Sequence, residues 1–171
     1  MKESYKRKSH EDRIDLAGEY RWGDLGQLIL LIIFIIGMIL DLFLIKISIF
    51  WQDFFPWYLR LLLFIPILII AAYFTQRAHK IVFEEKREKL MVIKTGVFAI
   101  IRHPMYFGSI LIYLSFLVLS LSVIALVIFV VVVIFYYYIC RYEEQVLIDR
   151  LGDDYKNYLK SVPMLIPRFK K

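Results

Sequence analysis

The stretch PMYFGSILIYLSFLVLSLSVIALVIFVVVVIFYYYIC, Pro104 to Cys140, contains no Asp, Glu, Lys or Arg in 37 residues. As one straight helix it would measure about 55 Å at 1.5 Å per residue. A bilayer core is only about 30 Å thick, so the stretch must double back. Two short helices meeting near Ser120-Leu121-Ser122 satisfy both limits, although that turn has neither Gly nor Pro.

Working outward, the same pattern repeats. Leu25 to Ile45 is apolar over the length one bilayer crossing needs, with Asp41 near its far end and Gly37 placed for close helix contact. Trp57 to Gln76 forms the next span. Arg60 is expected to snorkel outward at its start and Pro66 to kink it. The connector between them carries Trp51, Pro56 and Trp57, and Tyr20 and Trp22 precede the first span; both sets suit an aromatic belt. The expectation is one all-α integral membrane domain, residues 1–171, with spans at about 25–45, 57–76, 105–121 and 122–140. A loop at 77–104 and a tail at 141–171 complete it. In the tail, Leu147, Leu151, Tyr155 and Tyr158 recur at helical spacing and predict an amphipathic helix ended by Pro163 and Pro167.

Composition agrees. The chain of 171 residues is 60% hydrophobic, against roughly 45–50% in soluble domains. Residues 1–24 have no apolar core or small-residue cleavage site of a signal peptide. A single cysteine, Cys140, rules out an internal disulfide and a cysteine-based zinc site, and His10 and His79 lack metal-ligand spacing. The net charge of +6 reports topology: 20 of the 22 Lys and Arg fall in the two terminal blocks and the 77–102 loop. Four spans put those three regions on one side, which is cytoplasmic by the positive-inside rule. The charge therefore favours contact with anionic lipids over nucleic acid.

Two polar clusters lie on that side. One is Thr95 to Tyr106, in which Pro104 suits a first helical turn and leaves Arg102 and His103 at the mouth of the third span. The other is Arg141-Tyr142-Glu143-Glu144, at the exit of the fourth. A hairpin brings them to one membrane depth, with cations and carboxylates facing a zwitterionic ligand. By residue type alone, they also suit snorkelling side chains and a solvated helix face.

The motif Arg102-His103-Pro104-Met105-Tyr106 resembles that of the isoprenylcysteine carboxyl methyltransferase family. So does the tail pattern Glu143-Glu144, Leu147, Gly152-Asp153-Asp154-Tyr155, Tyr158, Val162-Pro163 and Pro167. The related phospholipid methyltransferases share Arg-His-Pro and the Glu pair. The resemblance covers about the C-terminal half. It implies S-adenosylmethionine as methyl donor and an active site at the cytoplasmic face. Carried over by position, the donor would meet His103, Pro104, Met105, Tyr106 and Glu143, with Arg102 beside them. Leu90, Met91, Val92 and Ile93 align with a segment that lines the donor, and Phe98 stands where Tyr is common. Arg141 is the candidate substrate-facing arginine, at a shorter offset from Glu143 than the family's, and Glu144 matches the second acid of the phospholipid type.

The acceptor is then a lipophilic or prenylated molecule among membrane lipids. Carboxyl O-methylation of an isoprenylcysteine-like substrate leads, phospholipid amine N-methylation is the alternative, and a sterol-type reductase or a non-enzymatic membrane subunit ranks lower. No metal is called for. The acceptor's tail is expected in a groove between the second span and the hairpin, with room made by Pro66 and Gly108.

Overall fold

The computed structural model describes residues 23–84 and 91–167; Tyr20, Trp22 and Leu90 lie outside them. Its elements are helical. Helix α1 (Gly23–Leu40) continues through a π-helical turn at Asp41–Ile45, and a short helix α2 (Ile49–Phe54) follows. Helix α3 (Trp57–His79) likewise runs on through a π-helical turn at Lys80–Glu84. A 3-10 turn at Gly96–Ala99 precedes α4 (Pro104–Ser120), α5 (Val123–Leu151) and α6 (Asp153–Ser161).

Three helical stretches, Gly23–Ile45, Trp57–Phe83 and Val123–Leu151, are long and apolar enough to cross a bilayer, and the shorter α4 is apolar too. Leu, Ile, Val and Phe cover their outer faces and remain exposed, as lipid contact allows. The chain is an all-α integral membrane protein.

The helices pair as α3 on α4, α4 on α5 and α5 on α1. Phe34, Tyr113, Ala125, Val132 and Tyr136 form the buried centre, with the Phe34 and Tyr113 rings edge to face at 5.0 Å. Two glycines set the spacing. A Cβ on Gly37 would lie 2.5 Å from Ile128 Cδ1, so α1 and α5 are in the close contact expected there. A Cβ on Gly108 would lie 3.0 Å from the Ala71 carbonyl oxygen. Gly108 therefore closes the α3–α4 seam, where the sequence suggested an open groove. The α3 helix is continuous through Pro66, which lies on its exposed face.

The α4–α5 turn falls where the charge-free stretch required it. Leu121 takes the left-handed conformation at φ 51°, and the Ser122 hydroxyl caps α5 by accepting from the Ala125 amide at 3.1 Å. Tertiary partners replace the missing Gly. The Asp41 carboxylate is fully buried at this turn and accepts from the Ser48 and Ser122 hydroxyls, both at 2.5 Å. The Ser48 hydroxyl accepts from the Val123 amide at 2.8 Å. Arg60 does not snorkel away: its Nη1 donates to the Leu119 carbonyl at 3.2 Å, at the negative end of α4.

The tail departs from expectation as well. With no breaker after Cys140, α5 runs on to Leu151, and Gly152 at φ 58° turns the chain into α6. The Arg141–Glu144 cluster therefore rides on a continuous helix, and the single amphipathic helix expected there is two.

Candidate functional site

At the end of the bundle opposite the α4–α5 turn lies a cavity of about 310 Å³. Ordinary small-molecule sites begin near this size, about 300 Å³. Its floor is the first turn of α4, where Pro104 at the first helical position leaves no amide unsatisfied. His103, Pro104, Met105 and Tyr106 line it there, and Arg102 enters just before. Met91, Val92, Ile93 and Phe98 form an apolar wall from the preceding segment. Glu143 enters from α5.

The polar groups are tightly organised. Glu144 is 2% exposed, and Arg102 Nε donates to its Oε1 at 2.7 Å. The same guanidinium donates through Nη1 to the carbonyls of Leu159 at 2.9 Å and Val162 at 2.6 Å. Backbone amides reinforce the clamp, Arg102 to the Pro163 carbonyl at 2.9 Å and His103 to that of Met164 at 3.2 Å. The Arg-His-Pro motif and the Val-Pro tail are thus two sides of one joint.

His103 is buried between the two acids. Its Nε2 lies 3.3 Å from Glu144 Oε1, and its Nδ1 lies 3.6 Å from Glu143 Oε2. The Tyr106 hydroxyl donates to Glu143 Oε1, and the Tyr106 ring stacks on His103 at 5.8 Å. Burial pushes the Tyr155 and Tyr158 phenols well above their usual range, with the nearby Glu144 carboxylate adding to the effect at Tyr155. Both stay protonated, and Tyr158 donates to the Phe98 carbonyl at 2.5 Å.

The lining brings together ten of the candidate residues: Met91 to Ile93, Phe98, Arg102 to Tyr106, and Glu143. Glu144 sits behind the wall. Arg141 is exposed on α5 and takes no part in the lining, because two residues along a helix put it on a different face from Glu143. Other lining residues escaped the sequence reading. Asp24 and Gln27 come from α1, and Thr75, Val82 and Phe83 from α3 and its extension. The Thr75 hydroxyl oxygen is buried with no hydrogen-bond partner among the described residues. Leu147, Leu151, Tyr155 and Tyr158 also line the cavity, so the periodic apolar stripe of the tail faces the site. That periodicity was visible, but what it faced was not.

Residues 59–154 match the phospholipid methyltransferase family. The match covers more than half of the chain, including α4, α5 and both polar clusters. The chain belongs to the phospholipid methyltransferase family. The chain is also similar to methanethiol S-methyltransferase from Crocosphaera subtropica, 33% identical over 87 residues. The aligned part is 50% of this chain, which spans only 33% of that protein's length. No solved structure matches this chain. The phospholipid methyltransferase match leaves α1 outside, although α1 contributes to the cavity wall.

Proposed function

We propose that this protein transfers a methyl group from S-adenosylmethionine to a lipophilic acceptor bearing an amine head. Family membership supports the reaction class. The donor set fits the methyl donor: apolar Val92, Ile93 and Phe98 suit its base, while Glu143 suits its amino group or ribose hydroxyls. Bound there, S-adenosylmethionine would supply a methyl group activated on a positively charged sulfur. Glu143 would be held in one orientation by Tyr106 and His103, and the apolar wall would exclude water.

The observation that carries the acceptor assignment is how the basic side chains are used. Among the described lining residues the basic side chains are Arg102 and His103. Arg102 is bound to Glu144 and two carbonyls, and His103 stands between two carboxylates. Arg141 lies outside the cavity. Among the described residues the lining offers a carboxylate acceptor only Arg102 and His103, each already engaged, whereas an amine head would meet Asp24. Phospholipid-type N-methylation therefore displaces isoprenylcysteine O-methylation as the favoured reading. A thiol acceptor is the second reading: the relative from Crocosphaera subtropica is named for one, and a neutral thiol needs no counter-ion in the wall.

The test is thermal stabilisation of the purified protein by S-adenosylhomocysteine, with NADPH as the control. Binding raises the melting temperature by mass action. Glu143→Gln is expected to weaken S-adenosylhomocysteine by about tenfold or more, the scale of a lost charged hydrogen bond, with little change in melting temperature of the unliganded protein. Stabilisation by NADPH alone would refute the proposal.

A further inference from the structure

Helix α1 precedes the family-matched region, yet it places two polar side chains in the cavity wall, Asp24 and Gln27. Asp24 is exposed at the rim, while Gln27 is half-buried. Gln27 is held in place: the hydroxyl of buried Tyr136 donates to its Oε1 at 3.3 Å. The Tyr136 ring lies 5.4 Å from Tyr106, whose hydroxyl donates to Glu143. The Tyr136–Tyr106 ring contact therefore links the group that holds Gln27 to the group that holds Glu143. With Oε1 used in this way, the Gln27 amide N–H groups remain as donors on a side chain that lines the cavity.

The packing of α1 supports a role in acceptor recognition. Helix α1 packs on α5 and α3 packs on α4, and both α1 and α3 supply cavity wall. The cavity is thus flanked by two helices that rest on different partners. Beside Asp24 and Gln27, Leu25 and Leu28 are exposed at 49% and 53%. An amphiphile with its head at Asp24 would lay its tail along these side chains, in the bilayer. A soluble acceptor would gain nothing from them.

We propose that Asp24 and Gln27 position the acceptor's polar head, the carboxylate receiving an amine and the amide N–H groups an oxygen beside it, so that α1 sets acceptor choice. This rests on the methyltransferase reading above. Asp24 also sits in the first turn of α1, where a negative charge suits the helix dipole. The test must therefore read more than stability.

Wild type, Asp24→Asn, Asp24→Glu and Gln27→Leu are assayed with labelled S-adenosylmethionine and three dodecyl amphiphiles, bearing an amine, a thiol or a carboxylate. S-adenosylhomocysteine binding is measured in parallel by calorimetry. In Asp24→Asn, KM for the amine is expected to rise about tenfold, the scale of losing a charged hydrogen bond. Its kcat, its thiol KM and its S-adenosylhomocysteine affinity should stay unchanged. Asp24→Glu should restore the amine KM, and Gln27→Leu should raise it. Unchanged amine KM in both Asp24→Asn and Gln27→Leu, with S-adenosylhomocysteine bound normally, overturns the proposal. So does a wild type that binds S-adenosylhomocysteine but prefers the carboxylate or methylates none of the three. A wild type that does not bind S-adenosylhomocysteine refutes instead the reading on which the proposal rests.

Discussion

Arg102 shows how one side chain can be read correctly by place and differently by role. Its neighbours in sequence suggest a ligand site, and it does line the cavity. Its donors, however, fasten Glu144 and the carbonyls of Leu159 and Val162. The Arg102 and Glu144 side chains are 9% and 3% exposed, so the pair is shielded from water. Removing the arginine leaves a buried carboxylate poorly compensated and frees the tail from the α4 entrance. Arg102→Ala is therefore expected to cost about 3–5 kcal/mol, the usual result of breaking a buried pair from one side. Chemical unfolding in detergent measures it, and a wild-type midpoint would show that the clamp does not hold the tail. Lysine is a poor replacement, because a point charge cannot serve a carboxylate and two carbonyls in the fixed geometry of a guanidinium. Nothing in the one-dimensional pattern pairs Arg102 with Leu159 or Val162, since those partners lie 57 and 60 residues away. Arg141 was misplaced for a related reason: proximity to Glu143 in sequence is not proximity on a helix surface.

At the scale of elements, small residues and buried polar groups determine how the helices meet. Gly108 lets α4 approach the α3 backbone at Ala71, so a larger side chain there must push the two helices apart. Gly108→Val is expected to destabilise by about 1–3 kcal/mol, as overpacking usually does. A shift in the unfolding midpoint would register it, and an unchanged midpoint would mean that the seam is looser than its geometry. The opposite end relies on polar groups. Asp41, Ser48 and Ser122 join the first helical segment to the start of α5. Asp41→Ala is expected to cost about 2–4 kcal/mol, because it strands buried hydroxyl donors; a stable Asp41→Ala protein would assign the turn's stability to apolar packing instead. The hairpin itself was legible from length and charge. Its turn residues were not, because Leu121 adopts a conformation that local propensity disfavours and tertiary contacts support.

For the whole molecule, the distribution of positive charge predicts that the N-terminal block, the 77–102 loop and the tail share the cytoplasmic side. Single cysteines at Ser4, Ser161 and Asp53 test this in intact cells with an impermeant thiol reagent. Asp53 is chosen because it is exposed, whereas the neighbouring Gln52 amide donates to the Ser120 carbonyl. The native Cys140 is buried and should stay silent. Only the Asp53 site is expected to label from outside. Labelling at Ser4 or Ser161 would invert or abolish the proposed topology.

The sequence by itself determined the membrane class, the apolar helical stretches and most of the residues on the cavity floor. These follow from local quantities: runs of apolar residues too long for anything but a bilayer crossing, and a contiguous motif at the start of α4. The tertiary structure alone decided which basic side chains were already engaged, that α3 closes on α4 at Gly108, and that α1 supplies Asp24 and Gln27 to the wall. Each of these depends on which helices pack together and on the rotation of each about its axis. In a lipid environment apolarity marks a helix as buried in the bilayer but gives little indication of which face meets protein. Close-packed glycines and long-range hydrogen bonds supply that information, and both become visible only once the helices are in place.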